Sequence, residues 1–95
     1  MIDKKTAQEL AERYRQAGGF RPFLLTLLAL AHVEGGVWET PSKAAVRRAL
    51  TRPNDEEVCS EADAEVALVH AVRMGLLLEG STLRRLVLAS AGDAA

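Results

Sequence analysis

The side chains able to do chemistry are few and scattered. His32, His70 and Cys59 are the only histidines and the only cysteine in the 95 residues. They lack the Cys-x-x-Cys or His-x-x-x-His spacing with which such ligands close around zinc, so no metal site is expected. A Cys59 nucleophile would need a base held in place by a third group, and the surrounding sequence arranges none. Cys59 reads instead as a small, half-buried residue beside a helix cap at Ser60, and His32 as a helix-end residue. Gly18-Gly19 and Gly35-Gly36 lack the Gly-x-x-x-x-Gly-Lys pattern of a phosphate loop. The carboxylates sit in polar stretches, with no apolar surroundings to split a pair into acid and base. The expectation is a protein without enzymatic activity and without a cofactor.

Charge points instead to recognition. Residues 43–52 carry Lys43, Arg47, Arg48 and Arg52 and no acid, whereas residues 55–65 carry Asp55, Glu56, Glu57, Glu61, Asp63 and Glu65 and no base. The net charge of −1 does not mark the whole chain as a nucleic-acid binder, because neutralising phosphates needs a basic surface. Any such surface must therefore be local. Glu61 and Asp63 have a simple reason to be where they are, complementing the positive end of a helix that starts at Ser60. That reason does not reach Asp55, Glu56 and Glu57.

Elements able to position these groups follow from periodicity. Ala7, Leu10, Ala11, Tyr14 and Ala17 recur at helical spacing, predicting a first amphipathic helix over 4–17 with a Thr6-x-x-Glu9 capping box, ended by Gly18-Gly19. Residues 20–34 are apolar nearly all round, with Pro22 in the first turn, and predict a helix buried at the centre that Gly35-Gly36 ends. Val37-Trp38-Glu39 predicts a short strand. Thr40-Pro41 reads as N-cap and first position of a third helix that closes at Pro53-Asn54, with its basic residues pointing away from a buried Ala45, Val46, Ala49 and Leu50 side.

A fourth helix runs from Ser60 to about Met74, before Gly75, with Ala64, Leu68, Ala71 and Val72 as its core stripe. Its other side presents Ala62, Asp63, Glu65, Val66, Val69, His70 and Arg73. There Ala62, Val66, Val69 and Arg73 form a second, weakly apolar stripe that would most simply be buried within the chain. Leu76-Leu77-Leu78 and Leu83 to Ala89 predict a β-hairpin over 76–89, turning at Glu79 to Thr82 and carrying Arg84 and Arg85 on its second arm. Residues 90–95 are expected to fray. One domain over 1–95 accounts for every element. The fold class is mainly α, in the α+β sense.

From Phe20 onward the order resembles the winged helix-turn-helix family. The resemblance is carried by Phe23-Leu-Leu-Thr-Leu-Leu-Ala-Leu-Ala, Gly36-Val-Trp-Glu-Thr, Ser42-Lys-Ala-Ala-Val-Arg-Arg-Ala-Leu, and the run from Ala71 to Leu88 in which Arg73-Met-Gly-Leu-Leu looks like that family's junction between last helix and wing. It covers about three quarters of the chain and leaves the first helix as an addition. In compactness, in Ala, Arg, Leu and Val usage and in its Gly-Ser wing, the sequence is also similar to small phage-encoded helix-turn-helix proteins of high-GC bacteria. The resemblance implies a helix-turn-helix over 41–74, a wing over 76–89 and double-stranded DNA as partner.

In that family the fourth helix would read base edges, yet here it offers only His70 and Arg73 as donors. The DNA reading therefore rests on Lys43, Arg47, Arg48, Arg52, Arg73, Arg84 and Arg85, gripping phosphates in transcription control or as a replication accessory. The alternative is a protein-binding module, a phage antagonist of a host protein, using Asp55, Glu56, Glu57, Glu61, Asp63, Val66 and Val69 toward a basic partner. A homodimer, joined through the first helix, is compatible with either.

One cysteine permits no internal disulfide, which suits a reducing compartment. The start, Met1-Ile2-Asp3-Lys4-Lys5, is unlike a secretory signal, and the apolar run 23–33 is too short to span a bilayer. The expected location is the cytoplasm of a bacterial host cell, with no membrane partner.

Overall fold

The computed structural model of the chain describes residues 3–89; the tail expected to fray at 90–95 lies outside them. Four helices and two short strands follow in the order α1 (Lys4–Gln16), α2 (Arg21–His32), β1 (Val37–Glu39), α3 (Lys43–Ala49), α4 (Glu61–Arg73) and β2 (Arg85–Val87). The fold is mainly helical with a small antiparallel sheet, in which Val37, Trp38 and Glu39 face Val87, Leu86 and Arg85. α2 packs on both α1 and α4. Its buried Leu24, Leu25 and Ala29 meet Val46 and Leu50, Ala64, Leu68 and Ala71, and Leu77, Leu83, Leu86 and Leu88 in one aliphatic core.

Local signals account for most boundaries, with instructive exceptions. α1 starts earlier than a Thr6 cap would allow, because the Asp3 carboxylate accepts from the Thr6 amide at 2.7 Å and caps it instead. α2 ends at His32, ahead of the glycines: Glu34 and Val37 exchange backbone hydrogen bonds across Gly35 and Gly36, whose φ of 61° and 83° suit the tight turn that feeds β1. α3 is shorter than expected at both ends. Ser42, not Thr40, caps it, accepting from the Ala45 amide at 3.0 Å. Pro53 and Asn54 lie in a separate turn closed by the Asp55 amide donating to the Arg52 carbonyl.

α4 matches expectation at both ends. The Ser60 hydroxyl accepts from the Asp63 amide, and Gly75 takes a left-handed φ of 76° while the Leu76 amide donates to the Ala71 carbonyl. The expected regular hairpin over 76–89 is not formed. Its first arm touches the second at a single Leu77–Leu88 bridge, flanked by bonds from the Leu78 amide to Val87 and from the Ala89 amide to Leu76. The ladder stops there because the Ser81 hydroxyl, not a backbone carbonyl, accepts from the Val87 amide at 3.0 Å. The predicted turn is present, with the Ser81 amide donating to the Leu78 carbonyl and Gly80 at φ 92°, but Thr82 and Arg85 close a second turn directly after it, and β2 pairs with β1 on its other edge.

α2 is also less central than its composition suggests. Phe20 and Phe23, in contact edge to face, are 47% and 40% exposed at its start. No helix among the described residues is long and apolar enough to cross a membrane.

Candidate functional site

Thr40 organises the basic surface. It is buried beyond the end of β1, where its amide donates to the Arg84 carbonyl at 2.9 Å and its hydroxyl to the Leu83 carbonyl at 2.7 Å. Leu83 itself has no exposed surface, so the 82–85 turn is plugged into the core by one leucine and tied to the segment that leads into α3. The consequence is positional: the exposed Lys43, in the first turn of α3, and the exposed Arg84 and Arg85 belong to segments joined three residues from Lys43. Within the turn, the Thr82 hydroxyl accepts from the Arg84 and Arg85 amides and holds the backbone of both. Glu39 stands opposite Arg85 in the sheet and offsets part of its charge. Arg48 is exposed at the far end of α3, and Arg73 is exposed in the last turn of α4.

Two of the seven expected phosphate-gripping residues point inward. Arg47 lies half-buried, its Nε donating to the Cys59 carbonyl at 2.8 Å. Arg52 donates from Nη1 to the Gly19 carbonyl and from Nη2 to Asp55 at 3.2 Å. Asp55 is the centre of this knot, taking the Arg52 amide at 2.8 Å and an ion pair from Arg21 at 2.9 Å. The Arg52 side chain and amide, followed by the Coulombic pull of Arg21 and of Arg52 itself, bring its carboxyl down from 3.8 to about 2. Thr51 completes the loop, its hydroxyl donating to the Arg47 carbonyl and accepting from the Cys59 amide.

The acidic segment is therefore divided. Asp55 is an internal fastener, and Asp63 stands 3.8 Å from Arg21, while Glu56, Glu57 and Glu61 are exposed. No known protein family, characterised protein or solved structure matches this chain.

The outer face of α4 is neither buried nor rich in donors. Val66 and Val69 are 52% and 44% exposed, which overturns the expected burial of that stripe within the chain. Phe20, at the start of α2, lines one shallow groove with Val66 and His70. The exposed phenylalanines and Arg21 were missed in the sequence because helical periodicity carries no information about where a helix end protrudes or which distant carboxylate an arginine meets.

Cys59 and His32 make structural contacts, whereas His70 is exposed on α4. Cys59 is buried, and burial pushes its thiol up, away from the reactive thiolate. The His32 ring stacks on Trp38 with centroids 4.7 Å apart, and its Nδ1 lies 3.0 Å from the Leu28 carbonyl oxygen. Among the described residues no three His, Cys, Asp or Glu side chains come together as a metal site.

Proposed function

We propose that this is a non-catalytic, winged-helix-type module that binds double-stranded DNA through phosphates, using Lys43 and Arg48 of α3 with Arg84 and Arg85 of the turn before β2. The reading serves transcription control or replication, with the protein acting inside a bacterial cell. The observation that carries it is the Thr40 hydroxyl bond to Leu83, which couples α3 to an arginine-bearing turn on a rigid, core-anchored footing. The element order supports the architecture: a helix, a strand, two helices, and a returning strand that pairs with the first.

Contacts of this kind position a protein on a duplex without reading bases. That fits an α4 whose outer face carries Asp63, Val66 and Val69 where a reading helix needs donors. Arg47 and Arg52 leave the phosphate-binding set and Asp55 leaves the acidic alternative, since their bonds are made within the chain.

Fluorescence anisotropy with a labelled duplex, titrated over a range of salt concentrations, tests the reading. Binding should weaken linearly in log–log form, and Lys43→Ala with Arg84→Ala should lower the slope by about 2, since each lost phosphate contact contributes about 0.9. Thermal stability of that double variant should stay within about 0.5 kcal/mol of the parent, as both positions are exposed. Absence of any salt-dependent binding to duplex DNA overturns it.

A further inference from the structure

The outer face of α4 has a charge order that suits one partner in particular. Along the helix, Glu61, Asp63 and Glu65 occupy the first two turns, Val66 and Val69 the middle, and His70 and Arg73 the end. At 100° per residue, Ala62, Val66, Val69 and Arg73 share the side opposite the buried Ala64, Ala67, Leu68 and Ala71. The valines are about half exposed, and Phe20 and Phe23 widen the apolar surface across the neighbouring start of α2. An apolar centre with acids at one end and bases at the other is complementary to itself when turned end for end.

We propose that this face binds a second copy of the chain, with the two α4 helices antiparallel about a two-fold axis passing between Val66 and Val69. A two-fold interface brings the same patch together from both subunits, so residue i of one copy meets residue j of the other, and j meets i. Centred there, Val66 of each copy faces Val69 of the other. Arg73 comes level with Ala62, within a helical turn of Glu61, Asp63 and Glu65 across the seam, and His70 shares its flank of the seam with Asp63 of the other copy. The antiparallel arrangement also sets the positive helix end of one copy beside the negative end of the other. A parallel pairing would stack acid on acid and is disfavoured by the same charges. Small side chains at Ala62, Val66 and Val69 permit close approach of the helices, at the 8–10 Å axial separations at which about this size of side chain interdigitates.

The seam shares no residue with the Thr40 tie or the basic turn, so it does not rest on the DNA reading, and it assigns α4 to assembly where the winged-helix resemblance implies base recognition. α1, the joining helix that the sequence suggested, turns Ala7, Ala11 and Tyr14 inward and leaves Leu10 38% exposed.

Light scattering and sedimentation on the DNA-free protein should give twice the 10.3 kDa chain mass at high micromolar concentration, falling toward one chain mass on dilution. Val66→Asp, at an exposed position, should shift the protein to monomer while its circular dichroism spectrum keeps the parent's helix content. Arg73→Glu should weaken the dimer at least tenfold, and adding Glu61→Arg to it should restore association by swapping the two ends of the seam. A parent that stays monomeric throughout overturns the proposal, including the case in which Val66 contacts only an unrelated protein. So does a dimer indifferent to Val66→Asp, or a swapped variant no better than Arg73→Glu alone. Failure of DNA binding in the anisotropy titration leaves each of these outcomes unchanged.

Discussion

The loop between α3 and α4 and the turn before β2 are both short, arginine-bearing connections, yet they are fastened by different forces. The loop is held by charge: Arg21 and Arg52 converge on Asp55, while Arg47 reaches the Cys59 carbonyl. The turn is held by burial of Leu83 and by two neutral hydroxyls, those of Thr40 and Thr82. Where charge does the fastening, the arginines are consumed; where a leucine does it, Arg84 and Arg85 stay exposed. Basic residues counted along the chain therefore overstate the surface available to phosphate in the first region and describe it fairly in the second.

That contrast makes the turn the more fragile in packing and the loop the more fragile in charge. Leu83→Ala should have the largest effect, about 2–5 kcal/mol lost in denaturant unfolding, because a fully buried leucine is replaced by a cavity. A loss under about 1 kcal/mol would show that the turn is not anchored through the core. Arg52→Ala should cost less, about 2 kcal/mol, by removing charged hydrogen bonds to Asp55 and leaving the Gly19 carbonyl without its donor. Stability equal to the parent would class Arg52 with the free surface arginines. Thr40→Val should cost about 1–2 kcal/mol through the unpaired Leu83 carbonyl, and DNA affinity should fall with it as α3 and the turn lose their common footing.

Acid separates the two fastenings most sharply. Asp55 has its carboxyl depressed from 3.8 to about 2, so its contribution is fully present above the unfolded value and is lost as pH falls through about 2. Urea midpoints measured across that window should drop in the parent more steeply than in Asp55→Asn, whereas Thr40→Val should retain the parent's slope. Parallel curves for the parent and Asp55→Asn would remove Asp55 from the centre of the loop.

Local chemistry made much of the fold legible in sequence. The Ser60 cap, the Gly75 stop, the strand at Val37–Glu39 and all four helices are readable because each signal lies within a few residues of the element that it sets. The errors also have local causes. Asp3 outcompetes Thr6 as a cap, Ser42 outcompetes Thr40, and the Ser81 hydroxyl interrupts a ladder that the apolar pattern of 76–89 favours.

Function-bearing surface was less legible. Periodicity correctly placed Val66 and Val69 opposite the core stripe of α4, but whether another element covers that side depends on how helices are arranged in space. By itself, then, the sequence determined the order of the four helices and of the strand at 37–39, and the absence of any metal-ligand spacing around His32, Cys59 and His70. Only the tertiary structure decided which charges are free, because Arg21 meets Asp55 across 34 residues and Thr40 meets Leu83 across 43. Contacts at that separation leave no periodic trace along the chain; they exist only once packing has brought distant segments within hydrogen-bond reach.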